Sequence, residues 1–371
     1  MNRSKSLMKR LDVDLNDYRN FSEKHSSIII ELIPIKDHND PVYSPLNKFN
    51  NYISTKVKGD SVIVTISDGI NDLNNLFALQ KEIEGIIFHQ FARNDIIDMH
   101  SMFSNCVNLK YIDFKSFNSV NVSNMGMMFF CCYKLENIYN IQNIDTSKVK
   151  NMSSMFYHCN NLCNLDLSNF NTEKCLTMVE MFSGCNALKN LNIGSFDTTL
   201  ITDMSYLFND CYSLEELNLN HFNTEAVKNM KYMFNNCKCL KELYVNNFNT
   251  KNVISMEKMF CNCYSIEELD LSSFSCNVLY DATAMFKKCI SLQRIDIGNM
   301  DFTHVSLTGD LFAYCCVLES IDLDKFLDLP YYTTKNMFLF PSNFICVRLI
   351  QRYPGINFYK DEIYIIDYSY V

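Results

Sequence analysis

Apolar residues recur along this chain with a fixed step. The Phe of each MF or LF pair stands at Phe77, Phe103, Phe129, Phe156, Phe182, Phe208, Phe234, Phe260, Phe286, Phe312 and Phe338. Every step is 26 residues except one of 27, between Phe129 and Phe156. Nine of these Phe are followed three residues later by Cys, at Cys106, Cys132, Cys159, Cys185, Cys211, Cys237, Cys263, Cys289 and Cys315. The first and last copies carry Gln80 and Pro341 instead, as the eroded ends of a stacked array do.

The unit from Cys211 to Cys237 shows the pattern within one step. Leu214, Leu217 and Leu219 spell an LxxLxL strand signature, followed by Phe222, Asn223-Thr224 and Val227. Met230, Met233, Phe234 and Cys237 then stand at i, i+3, i+4 and i+7, the spacing of one apolar helix face. The position before the first Met is Asp98, Asn124, Asn151, Thr177, Asp203, Asn229, Ser255 or Asp281, all helix N-cap types. Thr177 with Glu180 fits a capping box, and Leu307 breaks the rule, so the last helix should fray first. Each unit is therefore expected to be one short strand, a loop and about two turns of helix. Such a unit cannot bury its apolar face alone, so the units must stack. The expected fold is an α/β leucine-rich-repeat solenoid of about ten turns, a parallel sheet on one face and short helices on the other. Its sheet should be roughly 45 Å long. The irregular step has an extra residue at Tyr139-Asn140, which should bulge the strand.

The array sets the domain limits. Residues 1–67 form an N-terminal cap region with strands at Ile28–Ile35 and Ser61–Ser67, residues 68–338 the solenoid, and residues 339–371 a C-terminal cap ending in the strand-like run Ile363–Val371. The caps are expected to cover the open sheet edges.

Composition narrows the function classes. A net charge of −9 lacks the basic footprint of a nucleic-acid binder. The first apolar run, Ile28–Ile35, is too short to span a bilayer, and the residues before it contain no signal-peptide apolar region. Seventeen cysteines, an odd number, without such a signal favour free thiols in a reducing compartment. A cytoplasmic protein is the expectation, with cell-surface display by unconventional export as the alternative.

The segments LDLSNFNTEKCLTMVEMFSGC (Leu165–Cys185) and LNLNHFNTEAVKNMKYMFNNC (Leu217–Cys237) resemble the BspA-like leucine-rich repeats, also called the DUF285 or mycoplasma-lipoprotein-like repeat. The resemblance implies a leucine-rich-repeat solenoid used for protein binding, often in surface adhesins. This chain differs from those surface proteins in showing no lipidation Cys and no membrane span.

Candidate chemistry is sparse. Nine Cys at a core-facing spacing read as small buried hydrophobes rather than as a metal or redox site, and the Met rows read as packing. No paired CxxC ligand spacing occurs. The seven His, His158 among them, share no repeat position, and no triad order, phosphate loop or HExxH is present. No catalytic residue, cofactor, metal or small-molecule substrate is expected. The informative surface is the outward side of the strands. It should present Asp113, Asp166, Asn192, Asn218, Tyr244, Asp270, Asp296 and Asp322, with Glu215, Glu216, Lys241, Glu242, Glu267 and Glu268 in neighbouring columns. That strip is the candidate protein-binding face of a non-enzymatic interaction scaffold, its partner an unidentified protein. The alternatives are a surface adhesin, or an enzyme or effector activity in the short flanks.

Overall fold

In the computed structural model the described residues are 23–35, 52–302 except 276, 305–319, and short stretches up to residue 363. The run Ile363–Val371 lies, apart from Ile363, outside them, as does Asp322.

Among the described residues the first strands are three antiparallel ones, β1 (Ile28–Pro34), β2 (Ile53–Lys58) and β3 (Ser61–Ile66). β2 and β3 form a hairpin, β3 pairs with β1, and β1 pairs antiparallel with β4 (Ile83–Gln90). From β4 onward the pairing is parallel. Eight three-residue strands follow, one per coil: β5 (Tyr111–Asp113), β6 (Asn137–Tyr139), β7 (Asn164–Asp166), β8 (Asn190–Asn192), β9 (Glu216–Asn218), β10 (Glu242–Tyr244), β11 (Glu268–Asp270) and β12 (Arg294–Asp296). The result is a β-solenoid of about eight turns. Two further strands, β13 (Phe358–Tyr359) and β14 (Glu362–Ile363), make a separate antiparallel pair.

The expected helices are absent from the coils: α-helical residues among the described ones are Glu23, Lys24 and Ile345, all outside the Met-x-x-Met-Phe-x-x-Cys segments. The Met-x-x-Met-Phe-x-x-Cys segments are chains of tight turns. In one coil Met102, Ser104 and Cys106 donate their N–H groups three residues back, to Met99, Ser101 and Phe103. Between them Met99, Ser101, Phe103 and Asn105 donate to carbonyls of the next coil, at Asn124, Gly126, Met128 and Phe130. The reason lies in the backbone. Two residues per coil have positive φ, such as Ser101 and Asn105, Tyr206 and Asp210, or Tyr232 and Asn236. A right-handed helix cannot pass through a left-handed residue. The turn chain gives up intra-segment bonds for bonds to its neighbour, which a stacked array supplies at every step.

The predicted N-caps therefore cap nothing. They form a second parallel ladder of single bridges, Asp98↔Asn124, Asn124↔Asn151, Asn151↔Thr177, Asp203↔Asn229, Asn229↔Ser255 and Ser255↔Asp281. Their side-chain oxygens still accept an amide, that of the residue two further on: His100 N–H reaches Asp98 at 2.7 Å, Ser153 N–H reaches Asn151 at 2.9 Å. Leu307, expected to fray, keeps its bridge to Asp281, because the bridge is a backbone interaction. The extra residue of the long step does not bulge β6, which pairs with β5 in unbroken register. It is absorbed just after the strand, where Asn140 is left-handed and Ile141–Asn143 forms a 3-10 turn.

The core is a set of columns along the solenoid axis. The eleven Phe rings stack face to face from Phe77 to Phe338 with centroid steps of 5.0–5.9 Å. Each ladder Cys donates its thiol hydrogen to the Phe carbonyl of the preceding coil, at 3.0–3.3 Å. That carbonyl already accepts the N–H of the residue three further on in its own coil, Gln80 for Phe77 and a Cys for the others. The thiol is thus a small side chain that fills the column and occupies the second lone pair.

A third column was not singled out in the sequence: Thr146, Thr172, Thr198, Thr224 and Thr250, each at most 2% exposed. Each hydroxyl donates to a carbonyl of the next coil at 2.7–3.1 Å. The signal was the recurrent Asn-Thr or Asp-Thr pair, whose Asx residue also accepts an amide two residues on, as Asn171 does from Glu173.

Arg93 joins the antiparallel strands to the first coil. It is completely buried, pairs with both oxygens of Asp95 at 2.9 and 2.7 Å, and donates to the carbonyls of Ser67 and Ile70. Replacing Arg93 with Met removes the donors and strands buried acceptors, at a cost of about 2–3 kcal/mol. Hydrogen exchange should show amides of β1 and β3 losing protection first, and Arg93→Lys, lacking the planar fork, should not restore it. Equal protection in Arg93→Met and wild type would remove Arg93 from this role.

Candidate protein-binding face

The strands are short because only three residues per coil run straight before the next turn. The middle residue points into the core, and the two flanking residues point out: β9 is Glu216 exposed, Leu217 buried, Asn218 exposed. The same alternation holds in β7, β11 and β12. The predicted residues Asp166, Asn192, Asn218, Tyr244, Asp270 and Asp296 thus share one outward column, and Glu216, Glu242 and Glu268 the next. Glu215, Lys241 and Glu267 lie one residue earlier, at the entry to each strand.

The first column works partly for the fold. Asp166, Asn192, Asn218, Asp270 and Asp296 each accept the amide two residues on, closing the turn that leaves the strand. The Ser168 amide and hydroxyl hold the Asp166 carboxyl below the usual carboxylate range; the Ser272 hydroxyl, then its amide, do the same for Asp270. Asp113 instead accepts the Asn140 amide at 2.6 Å, and the Tyr244 hydroxyl donates to Glu242 at 2.6 Å.

The entry column is not acidic. Along the axis it reads Glu84, Lys110, Glu136, Cys163, Lys189, Glu215, Lys241, Glu267, so that signs alternate. Glu84 pairs with Lys110 at 3.1 Å and Glu215 with Lys241 at 2.9 Å. Such exposed pairs contribute little to stability but neutralise the strip. The acidic character sits instead in the middle column, where Glu216 and Glu242 lie side by side in register. Asp270 and Asp296 are likewise paired in register in the outer column, and Glu268 meets Arg294.

The sheet is also interrupted. The ladder of β2-β3-β1-β4-β5-β6 ends at β6, and the later coil strands pair as β7-β8, β9-β10 and β11-β12. The core residue of each strand before a break is only partly buried: Ile138, Leu191 and Leu243. Their counterparts Leu165, Leu217 and Leu269 are 3–4% exposed. Two concavities lie on this face, about 740 Å³ across β7–β9 and about 830 Å³ across β10–β12.

Among the described residues no group of three or more His, Cys, Asp or Glu is placed to hold a metal ion. The ladder thiols are buried, and the exposed ones among the described residues, Cys163, Cys239 and Cys316, belong to separate coils. His158 packs edge-on against Tyr157 and fills the space beside Gly184, where a Cβ would meet its ring. No helix among the described residues is long and apolar enough to cross a membrane.

No curated protein matches the chain. Among solved structures it is similar to the Toll–Spätzle complex, described as a molecular hub in Drosophila development and innate immunity: 14% identity, TM-score 0.30, over 60% of this chain and 33% of that one. It is also similar to the TLR13–ssRNA13 complex: 14% identity, TM-score 0.22, over 69% of this chain and 43% of that one. This chain thus spans less than half the length of either. One family matches three overlapping stretches, residues 71–192, 130–244 and 215–326, which together cover the coils and well over half of the sequence. The chain therefore belongs to the repeat family described as Mycoplasma protein of unknown function, DUF285.

Proposed function

We propose that this protein is a non-enzymatic scaffold that binds a partner protein along the outward face of β5–β12. One observation carries the reading: the core columns repeat while the face does not. Phe and Cys recur coil after coil, whereas the middle face column runs Tyr111, Asn137, Asn164, Asn190, Glu216, Glu242, Glu268, Arg294. A repeated core with a varied, exposed strand face is how solenoids carry extended binding surfaces. In this reading residues 1–67 and 339–371 cap an array of residues 68–338.

The test is charge reversal. A partner cross-linked to the full chain in native cells and identified by mass spectrometry is titrated against wild type and a Glu215→Lys, Glu216→Lys, Glu267→Lys, Glu268→Lys variant. About a tenfold or greater loss of affinity is expected, since like charge at an interface costs several kcal/mol. Unchanged affinity in the folded variant would place the interface elsewhere.

A further inference from the structure

The breaks in the ladder and the charge around them point to a particular kind of partner. They fall after β6, β8 and β10, that is, every second coil. The two concavities lie at the last two, floored by Leu191 and Leu243. The Phe column steps 5.6 and 5.7 Å over the two coils that separate them, so the two apolar floors lie about 11 Å apart along the axis.

An occupant that lies along the axis and fills both must repeat near that distance on one face. An extended strand fails: its same-face residues recur about every 6.7 Å, so two steps overshoot. An α-helix fits, because residues i and i+7 are about 10.5 Å apart and within about 20° of the same face. A polyproline helix repeats at about 9.3 Å and is the geometric competitor. Polyproline segments dock in aromatic-lined grooves, whereas these floors are the aliphatic Leu191 and Leu243, which favours the α-helix; the surrounding charge then asks for basic flanks. Glu216, Glu242 and Glu267 surround the two floors and make no ion pair among the described residues, and Asp270 and Asp296 stand in register. In-register like charges destabilise the free sheet, and a cationic partner relieves them. Tyr244, 37% exposed, adds an aromatic ring whose face suits a basic side chain.

We infer that the strand face receives a basic amphipathic α-helix of a partner protein, laid along the solenoid axis, with apolar side chains at i and i+7 seated on Leu191 and Leu243. This rests on the strand-face reading above and specifies its partner.

The test uses the full chain and synthetic, side-chain-stapled helical peptides of about 18 residues, long enough for two complete heptads. One carries Leu at i and i+7 among Lys and Arg. A second has the same composition with Leu at i and i+5, and a third is a Lys-containing polyproline peptide. Fluorescence anisotropy should show the i,i+7 peptide binding at least about tenfold tighter than either control. That preference should vanish in Leu191→Gln, Leu243→Gln protein. In Glu242→Lys, Asp270→Lys protein, which leaves the floors intact, binding should weaken and lose its salt dependence. Equal binding of the two helical peptides, or preference for the polyproline peptide, overturns the inference. So does failure of every peptide to bind; if the native partner then still responds to charge reversal on this face, the scaffold reading survives and only the helix falls.

Discussion

Raising the pH from about 9 to about 10.5 should unfold the solenoid, through its buried thiols. Burial pushes Cys106, Cys185 and Cys315 up to about 12, and raises the other ladder thiols well above the ordinary value. Cys175, outside the ladder, is raised to about 11. An unfolded thiol ionises near 8.5. Above that pH the unfolded chain releases protons that the folded chain keeps, so stability falls. The contribution is complete below the unfolded value and is lost as pH climbs toward the folded one. Each thiol removes about 1.4 kcal/mol per pH unit, and nine together about 12 kcal/mol, comparable to the whole stability of a typical domain. Half-buried phenols such as Tyr157 and Tyr206, raised by the same desolvation, act in the same direction. Circular dichroism against pH, with urea midpoints at each pH, measures the number of protons released. A Cys211→Ala, Cys237→Ala, Cys263→Ala variant should release about three fewer. A transition equally steep in that variant would exclude the thiols as its cause.

Phe208→Ala should be the most damaging single substitution in mid-array, at about 3–5 kcal/mol. Its ring is fully buried between Phe182 at 5.6 Å and Phe234 at 5.7 Å, nearly parallel to both. Truncation opens a cavity and removes two stacking contacts at once. It also loosens the carbonyl that accepts both the Cys211 N–H and the Cys237 thiol. Because each coil is coupled only to its neighbours, the damage is local and should divide the array. Urea unfolding should then show two transitions where wild type shows one. Phe338→Ala, at the far end and stacked face to face on Phe312, should cost less and leave one transition. Equal cost at both positions would mean that the stack does not act as a coupled column.

The repeat is legible in the sequence because its cause is local to each column. A fixed step of 26 residues places Phe on Phe and Cys on Cys, and only stacked parallel coils bury them all. The strand positions follow from the alternation around Leu165, Leu217 and Leu269. The outward placement of Asp166, Glu216 and Asp270 follows from the same alternation. The helices did not follow. Met230, Met233, Phe234 and Cys237 have helical spacing, but that spacing fits any chain that returns to the core every three or four residues. Asn105, Gly184, Asp210, Asn236 and Asn262, all types that tolerate the left-handed region, were the available sign against a helix.

What the sequence determined by itself is the period, the core columns, the family and the side of the strands that faces out. The tertiary structure alone decided between helix and turn. It also placed the long step's extra residue after β6, paired Glu84 with Lys110 and Glu215 with Lys241 along the entry column, and left the ladder open at Leu191 and Leu243. Each of these depends on a neighbouring coil 26 residues away: a carbonyl to accept an amide, a lysine to meet a glutamate, a strand that pairs or does not. A single unit's sequence records which side chains it offers, and the stacked neighbour fixes the backbone that presents them.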